Sequence, residues 1–114
     1  MMNIEKKIIE YLRESLATDR VYGEEPDSPK GEFFVVDKTG SSTTDRLCTS
    51  TVAIKSYADT KSKASDLNEE LKAIMPGIVA GKGVSSCRLV SDYNFTNTAK
   101  KQHRYQAVFN LTHH

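Results

Sequence analysis

The stretch 84–111, VSSCRLVSDYNFTNTAKKQHRYQAVFNL, decides how this chain folds. It reads as two long strands joined by a polar turn. In its second half His103, Tyr105, Ala107, Phe109 and Leu111 fall on one face, and Arg104, Gln106, Asn110 and Thr112 on the other. That is a period of two, with Val108 the one apolar residue on the polar side. The first half is more mixed. Cys87, Leu89 and Tyr93 share one face, and Val84, Arg88, Val90 and Asp92 the other. Between the two halves, residues 96–101 are polar and predict a solvent-exposed tip. A hairpin with one apolar face needs a cover, which the chain before it has to supply.

Working back from the hairpin, residues 59–75 predict a helix. Asp59 or Thr60 is placed to cap it. Ala64, Leu67, Leu71 and Ile74 or Met75 form a narrow apolar stripe, and Pro76-Gly77 stops or bends the helix. Ile78, Val79 and Ala80 are expected to tuck under a sheet. Residues 47–57 (LCTSTVAIKSY) predict a strand rich in β-branched residues, with Cys48, Ser50, Val52, Ile54 and Ser56 on one face and Leu47, Ala53 and Tyr57 on the other. Residues 32–38 (EFFVVDK) predict a buried strand, and residues 39–46 (TGSSTTDR) a mobile loop. So short a connection favours an antiparallel pair over a parallel crossover. Residues 17–31 hold Pro26 and Pro29 and read as a connector, with Val21-Tyr22 as a short extended segment. Residues 3–17 predict an amphipathic helix, with Ile4, Ile8, Leu12 and Leu16 in one stripe widened by Ile9. The order α-β-β-α-β-β predicts an α+β fold over residues 1–114. It is a single domain, with an antiparallel or mixed four-stranded sheet and two helices packed on one face.

With 114 residues the chain has the length of one domain with one core. Its 16 basic and 15 acidic residues give a net charge of +1, which argues against a general nucleic-acid binder. No apolar run approaches the roughly 20 residues that span a membrane. Charges interrupt the apolar residues of MMNIEKKIIEYL, which therefore does not read as a signal peptide, and a reducing cytoplasm is expected. Cys48 and Cys87 both fall in predicted strands and read as half-buried thiols. Whether they are neighbours stays open. The Asn-x-Thr sequons at Asn94 and Asn110 read as chance matches.

Little in the sequence points to chemistry. Residues 77–83, GIVAGKG, resemble a phosphate-binding loop but have three residues between the glycines instead of four. Gly83 stands where Ser or Thr would hold magnesium, and the order is helix, loop, strand instead of strand, loop, helix. His103, His113 and His114 have no metal-ligand spacing. The last two read as native residues or as the remnant of a purification tag. No Gly-x-Ser-x-Gly elbow marks a nucleophile, and no cofactor is expected. One cluster stands out: Lys100, Lys101 and Arg104, beside His103. It reads as a solvated hairpin tip or, functionally, as a contact for an acidic partner or for DNA phosphates. Tyr93, Phe95 and Tyr105 nearby read as sheet residues, not as a stacking platform.

Three segments carry a resemblance: TVAIKSYADTKSKASDLNEEL at 51–71, SDYNFT at 91–96 and RYQAVF at 104–109. Together with the N-terminal helix they resemble the small tail-terminator proteins (tail-completion, head–tail joining) of long-tailed bacteriophages and prophages, over nearly the whole chain. The resemblance implies a mixed sheet flanked by helices in a non-enzymatic virion protein. It implies a ring of its own copies, usually a hexamer, that caps the tail tube, ends its growth and meets the head connector. It implies residence in the neck of the virion, and in the host cytoplasm during assembly, with no membrane and only non-specific contact with passing DNA. Residues 75–78 and 80–83 depart from the family, where a more continuous and more acidic helix end is expected. Two other roles stay open: a head-completion or neck stopper protein, and a small cytoplasmic nucleic-acid-binding module.

Overall fold

The structure is a computed structural model and describes residues 3–27, 31–81, 83–96 and 102–114. Two helices, α1 (Ile4–Ser15) and α2 (Lys61–Ile74), accompany five strands: β1 (Val21–Tyr22), β2 (Phe33–Thr44), β3 (Leu47–Ala58), β4 (Val84–Asn94) and β5 (His103–His113). A 3-10 helix at Met75–Ala80 follows α2. The strands lie in the order β1-β2-β3-β5-β4, parallel between β1 and β2 and antiparallel at every other contact. The four-stranded sheet expected from sequence therefore gains β1, because Val21 and Tyr22 pair with Phe34 and Val35. The segment 59–83 is the crossover between β3 and β4, which run parallel with β5 between them.

Both helices pack on one face. Ile4, Ile8 and Leu12 of α1 and Leu71 of α2 share a core with Phe34 and Val36 of β2 and Val52 and Ile54 of β3. Ala107, Phe109 and Leu111 of β5 complete it, so the period of two read along 103–111 is the inward face of the sheet. Helix starts follow their caps: the side chains of Asn3 and Thr60 accept from the amides of Lys6 and Lys63, both at 3.2 Å. Helix α1 ends where Ala17 takes φ 51° and lets the Thr18 amide reach the Arg13 carbonyl, a turn more often made by glycine. After Ile74 the α-helical pattern gives way to the 3-10 helix, which has Pro76 in its first turn and buries Met75 and Ile78.

One turn of that segment is tightly fitted. The Tyr11 hydroxyl donates to the Ile74 carbonyl at 2.6 Å, and a Cβ at Gly77 would stand 2.5 Å from the same hydroxyl oxygen. Gly77→Ala is expected to push Tyr11 off its acceptor and lower stability by about 1–3 kcal/mol. Urea denaturation is the check, and a variant as stable as the parent would show that Tyr11 has room to move.

Two expectations are corrected. Residues 39–46 are not a loop. β2 runs on to Thr44 and β3 starts at Leu47, each 12 residues long. Asp45 and Arg46 close the hairpin with φ of 51° and 68°, the paired left-handed geometry of a type I′ turn. The usual Asn-Gly signal is missing, so sequence gives no sign of the turn. Cys48 to Thr51 are held on their far side by 110–113 of β5 and offer residues 40–44 a fixed strand to pair with. The second correction concerns β4. Register shifts between Val84 and Ser86 and between Leu89 and Ser91 reset its alternation. Val84 joins Cys87 and Leu89 on the helix side, and Asp92 on that side reaches Lys72 of α2 at 3.1 Å. Tyr93 turns to the other face, where its hydroxyl bonds Gln106.

Candidate functional site

The face of the sheet away from the helices carries a row of rings. Phe33 of β2 stands opposite Tyr57 of β3, which stands opposite Arg104 of β5. The Phe33 and Tyr57 rings stack with centroids 4.4 Å apart and planes within 9°. Tyr22 on β1 extends the row at 6.1 Å from Phe33. At the other end Tyr93 meets Phe95 edge-on at 5.9 Å. Phe33, Val35 and Tyr57 are buried on this side, with Tyr22 packed against them. Gly23, Glu24 and Glu25 line a small cleft of about 180 Å³ together with Val35 and Tyr57, so the connector after β1 lies over this second cluster. Glu25 also accepts from Gln102 at 2.6 Å. The row draws on positions from 22 to 104, so no window of sequence displays it.

Arg104 joins the two halves of the row. Its guanidinium lies 4.4 Å from the Phe95 centroid and 5.8 Å from that of Tyr57. Nε donates to the Phe95 carbonyl at 2.7 Å, and Nη1 to the Tyr57 hydroxyl at 3.3 Å and to Gln102 at 3.4 Å. These donors are turned onto the protein, and a phosphate would have to compete for them. Lys100 and Lys101, the other members of the basic cluster, lie outside the described residues. Of the three cluster residues the structure describes Arg104, and sets it against Phe95, which sequence reads as a nearby sheet residue, and Tyr57, which no sequence pattern links to it.

Burial raises the pKa of Tyr57, and the Arg104 hydrogen bond and charge only partly oppose this. A phenol with a raised pKa contributes stability that is present below its unfolded value near 10.0 and lost as pH climbs through the folded one. Lys72, held to Glu69 and Asp92, is also raised and is lost in the same direction. Unfolding free energy is therefore expected to fall above about pH 10. Tyr57→Phe should remove the phenol's share and leave that of Lys72. Parallel pH curves for the two proteins would contradict this assignment.

Other candidates are placed as follows. Ser50 and His113 form a buried pair at 2.8 Å, which ties the end of β5 to β3. It resembles a nucleophile and its base, yet both side chains are closed off from solvent. Sequence treated His113 only as a chain end. Cys48 and Cys87 sit on β3 and β4 with β5 between them. Two strand spacings, roughly 9.5 Å, exceed the reach of a disulfide. Burial pushes the Cys87 thiol up to about 11, which leaves it unreactive at neutral pH. Among the described residues no three His, Cys, Asp or Glu side chains are grouped to hold a metal ion, and no helix is long and apolar enough to cross a membrane. A cleft of about 640 Å³ opens between the end of α1, α2 and the start of β2, lined by Leu16, Arg20, Glu32 and Leu67 among others.

Among the described residues the sheet ends in two open edges. β1 covers β2 only at Phe34 and Val35. Beyond it the Lys38 amide donates to Glu5 at 3.0 Å, and residues 40–44 meet no further strand among the described residues. β4 forms the opposite edge, with Leu89 41% and Val90 51% exposed. The chain matches no family model, and no curated protein shows significant similarity to it.

Proposed function

We propose that this chain is a structural subunit of a phage or prophage virion, without enzymatic activity. In this reading it is a tail terminator: a ring of copies, a hexamer, at the head-proximal end of the tail tube that ends tube growth and joins tail to head. The observation that carries the reading is the pair of open edges at opposite sides of one sheet. Natural monomers cover, shorten or charge such edges, whereas a ring subunit needs two unlike surfaces that meet head to tail. The resemblance of residues 51–71, 91–96 and 104–109 to tail terminators supplies the setting. A DNA-binding module is less well supported, since Arg104 is engaged within the fold and the net charge is +1.

Disrupting the gene in the phage or prophage that carries it tests the role. Tails longer than normal and detached from filled heads are the expected result in electron micrographs. Tails of normal length beside heads that lose their DNA would overturn the terminator reading in favour of a neck stopper.

A further inference from the structure

We infer that copies of this chain join by strand pairing, with β4 of one copy laid antiparallel along residues 40–42 of β2 in the next. The inference rests on the ring reading and specifies its interface. Strand directions permit it. β2 runs parallel to β5, and β4 runs antiparallel to β5, so in copies set side by side in one orientation β4 meets the neighbour's β2 antiparallel.

The rows of the sheet give the register. Ser86, Thr112, Thr49 and Ser42 lie on one row, and Arg88, Asn110, Thr51 and Gly40 on another. A level junction therefore sets Ser86 against Ser42 and Arg88 against Gly40 of the next copy. Residues 86–89 are the regular part of β4 between its two register shifts. Residues 39–44 are Thr, Gly and Ser throughout, so the β2 side brings no charge to bury. β4 carries Arg88 and Asp92 but neither Lys nor Pro; Arg88 meets Gly40, which opposes it with no side chain, and Leu89 and Val90 are exposed beside the junction. The β2 edge closes off below Gly40, where β2 has its own register shift and Glu5 already occupies the Lys38 amide. The same rows put Tyr93 and Asn94 level with Val35 and Phe34, which β1 covers, so the pairing is confined to residues 86–88 and β4 leaves the neighbour's edge after its shift at Leu89.

The test is a pair of engineered thiols, Ser42→Cys with Ser86→Cys, both at exposed sites. Within one chain they stand three strand spacings apart, roughly 14 Å, beyond the reach of a disulfide. Mild oxidation of the double variant is expected to give a ladder of covalent multimers on non-reducing gels, with neither single variant doing so. In a companion measurement, Val90→Lys should weaken association about tenfold or more in light scattering over a concentration series. Its circular dichroism should be unchanged, since the site is exposed. Multimers that form without the disulfide ladder, or that are indifferent to Val90→Lys, would overturn the interface and leave the ring intact. A parent chain that stays monomeric to about millimolar concentration also overturns it. The terminator reading is tested separately by tail length, since a ring can close through a contact other than this strand pair.

Discussion

Phe109→Ala is expected to remove a large share of the domain's stability and to move its urea midpoint far below the parent's. Phe109 is 1% exposed on β5, between Val52 of β3 and Leu89 of β4, and faces the core that both helices cover. Removing a buried phenyl ring costs about 3–5 kcal/mol, part in lost transfer energy and part in the cavity left behind. A domain of this size has about 5–15 kcal/mol in total, so the loss is a large share of its stability. Position matters as well as volume. The ring lies in the strand that joins the β1-β2-β3 side of the sheet to β4, so the cavity cannot close by letting one edge strand drift. Urea denaturation followed by far-ultraviolet circular dichroism measures the effect. A midpoint close to the parent's would mean that the core repacks around the gap.

The second large effect is expected at Arg104. Arg104→Ala removes the cation between Tyr57 and Phe95 together with the donors to the Phe95 carbonyl and the Tyr57 hydroxyl. A loss of about 1–3 kcal/mol follows from the ring contacts and charge-assisted bonds combined. Arg104→Lys is expected to recover little. An ammonium has no planar fork to lie on Phe95 while also bonding its carbonyl. Denaturation of the parent and both variants distinguishes the roles. If lysine restores the stability, charge alone is what matters. If neither variant changes stability but both weaken DNA binding, the phosphate-contact role of Arg104 gains and the ring-clamp role fails.

What was legible in the sequence was periodic. Ile4, Ile8 and Leu12 repeat with the turn of a helix, and Ala107, Phe109 and Leu111 repeat with the pleat of a strand; all six are buried. What was not legible depends on pairing. The residues 39–44 have no apolar periodicity because they are exposed on both faces, and only the anchored strand beside them makes them extended. Val84, Asp92 and Tyr93 change sides because one extra residue at each register shift inverts the alternation. Asn68 interrupts the stripe of α2 as a polar residue, yet it is 1% exposed with its side-chain oxygen unpartnered. The aromatic row escapes sequence reading because cross-strand register brings its members together.

The strand order has a temporal meaning as well. β5 lies between β3 and β4 but follows both in the chain, and its bond from His113 to Ser50 spans 63 residues. While a ribosome is still adding residues 84–96, β4 has no strand to lie against. The half-made chain can hold α1 against β1, β2 and β3, but one outer boundary of the mature sheet does not yet exist. A nascent chain is thus unable to present both sheet edges at once. In the proposed ring only a polypeptide whose residues 103–113 have been inserted could be extended in two directions, so the strand order would hold assembly back until those residues are made.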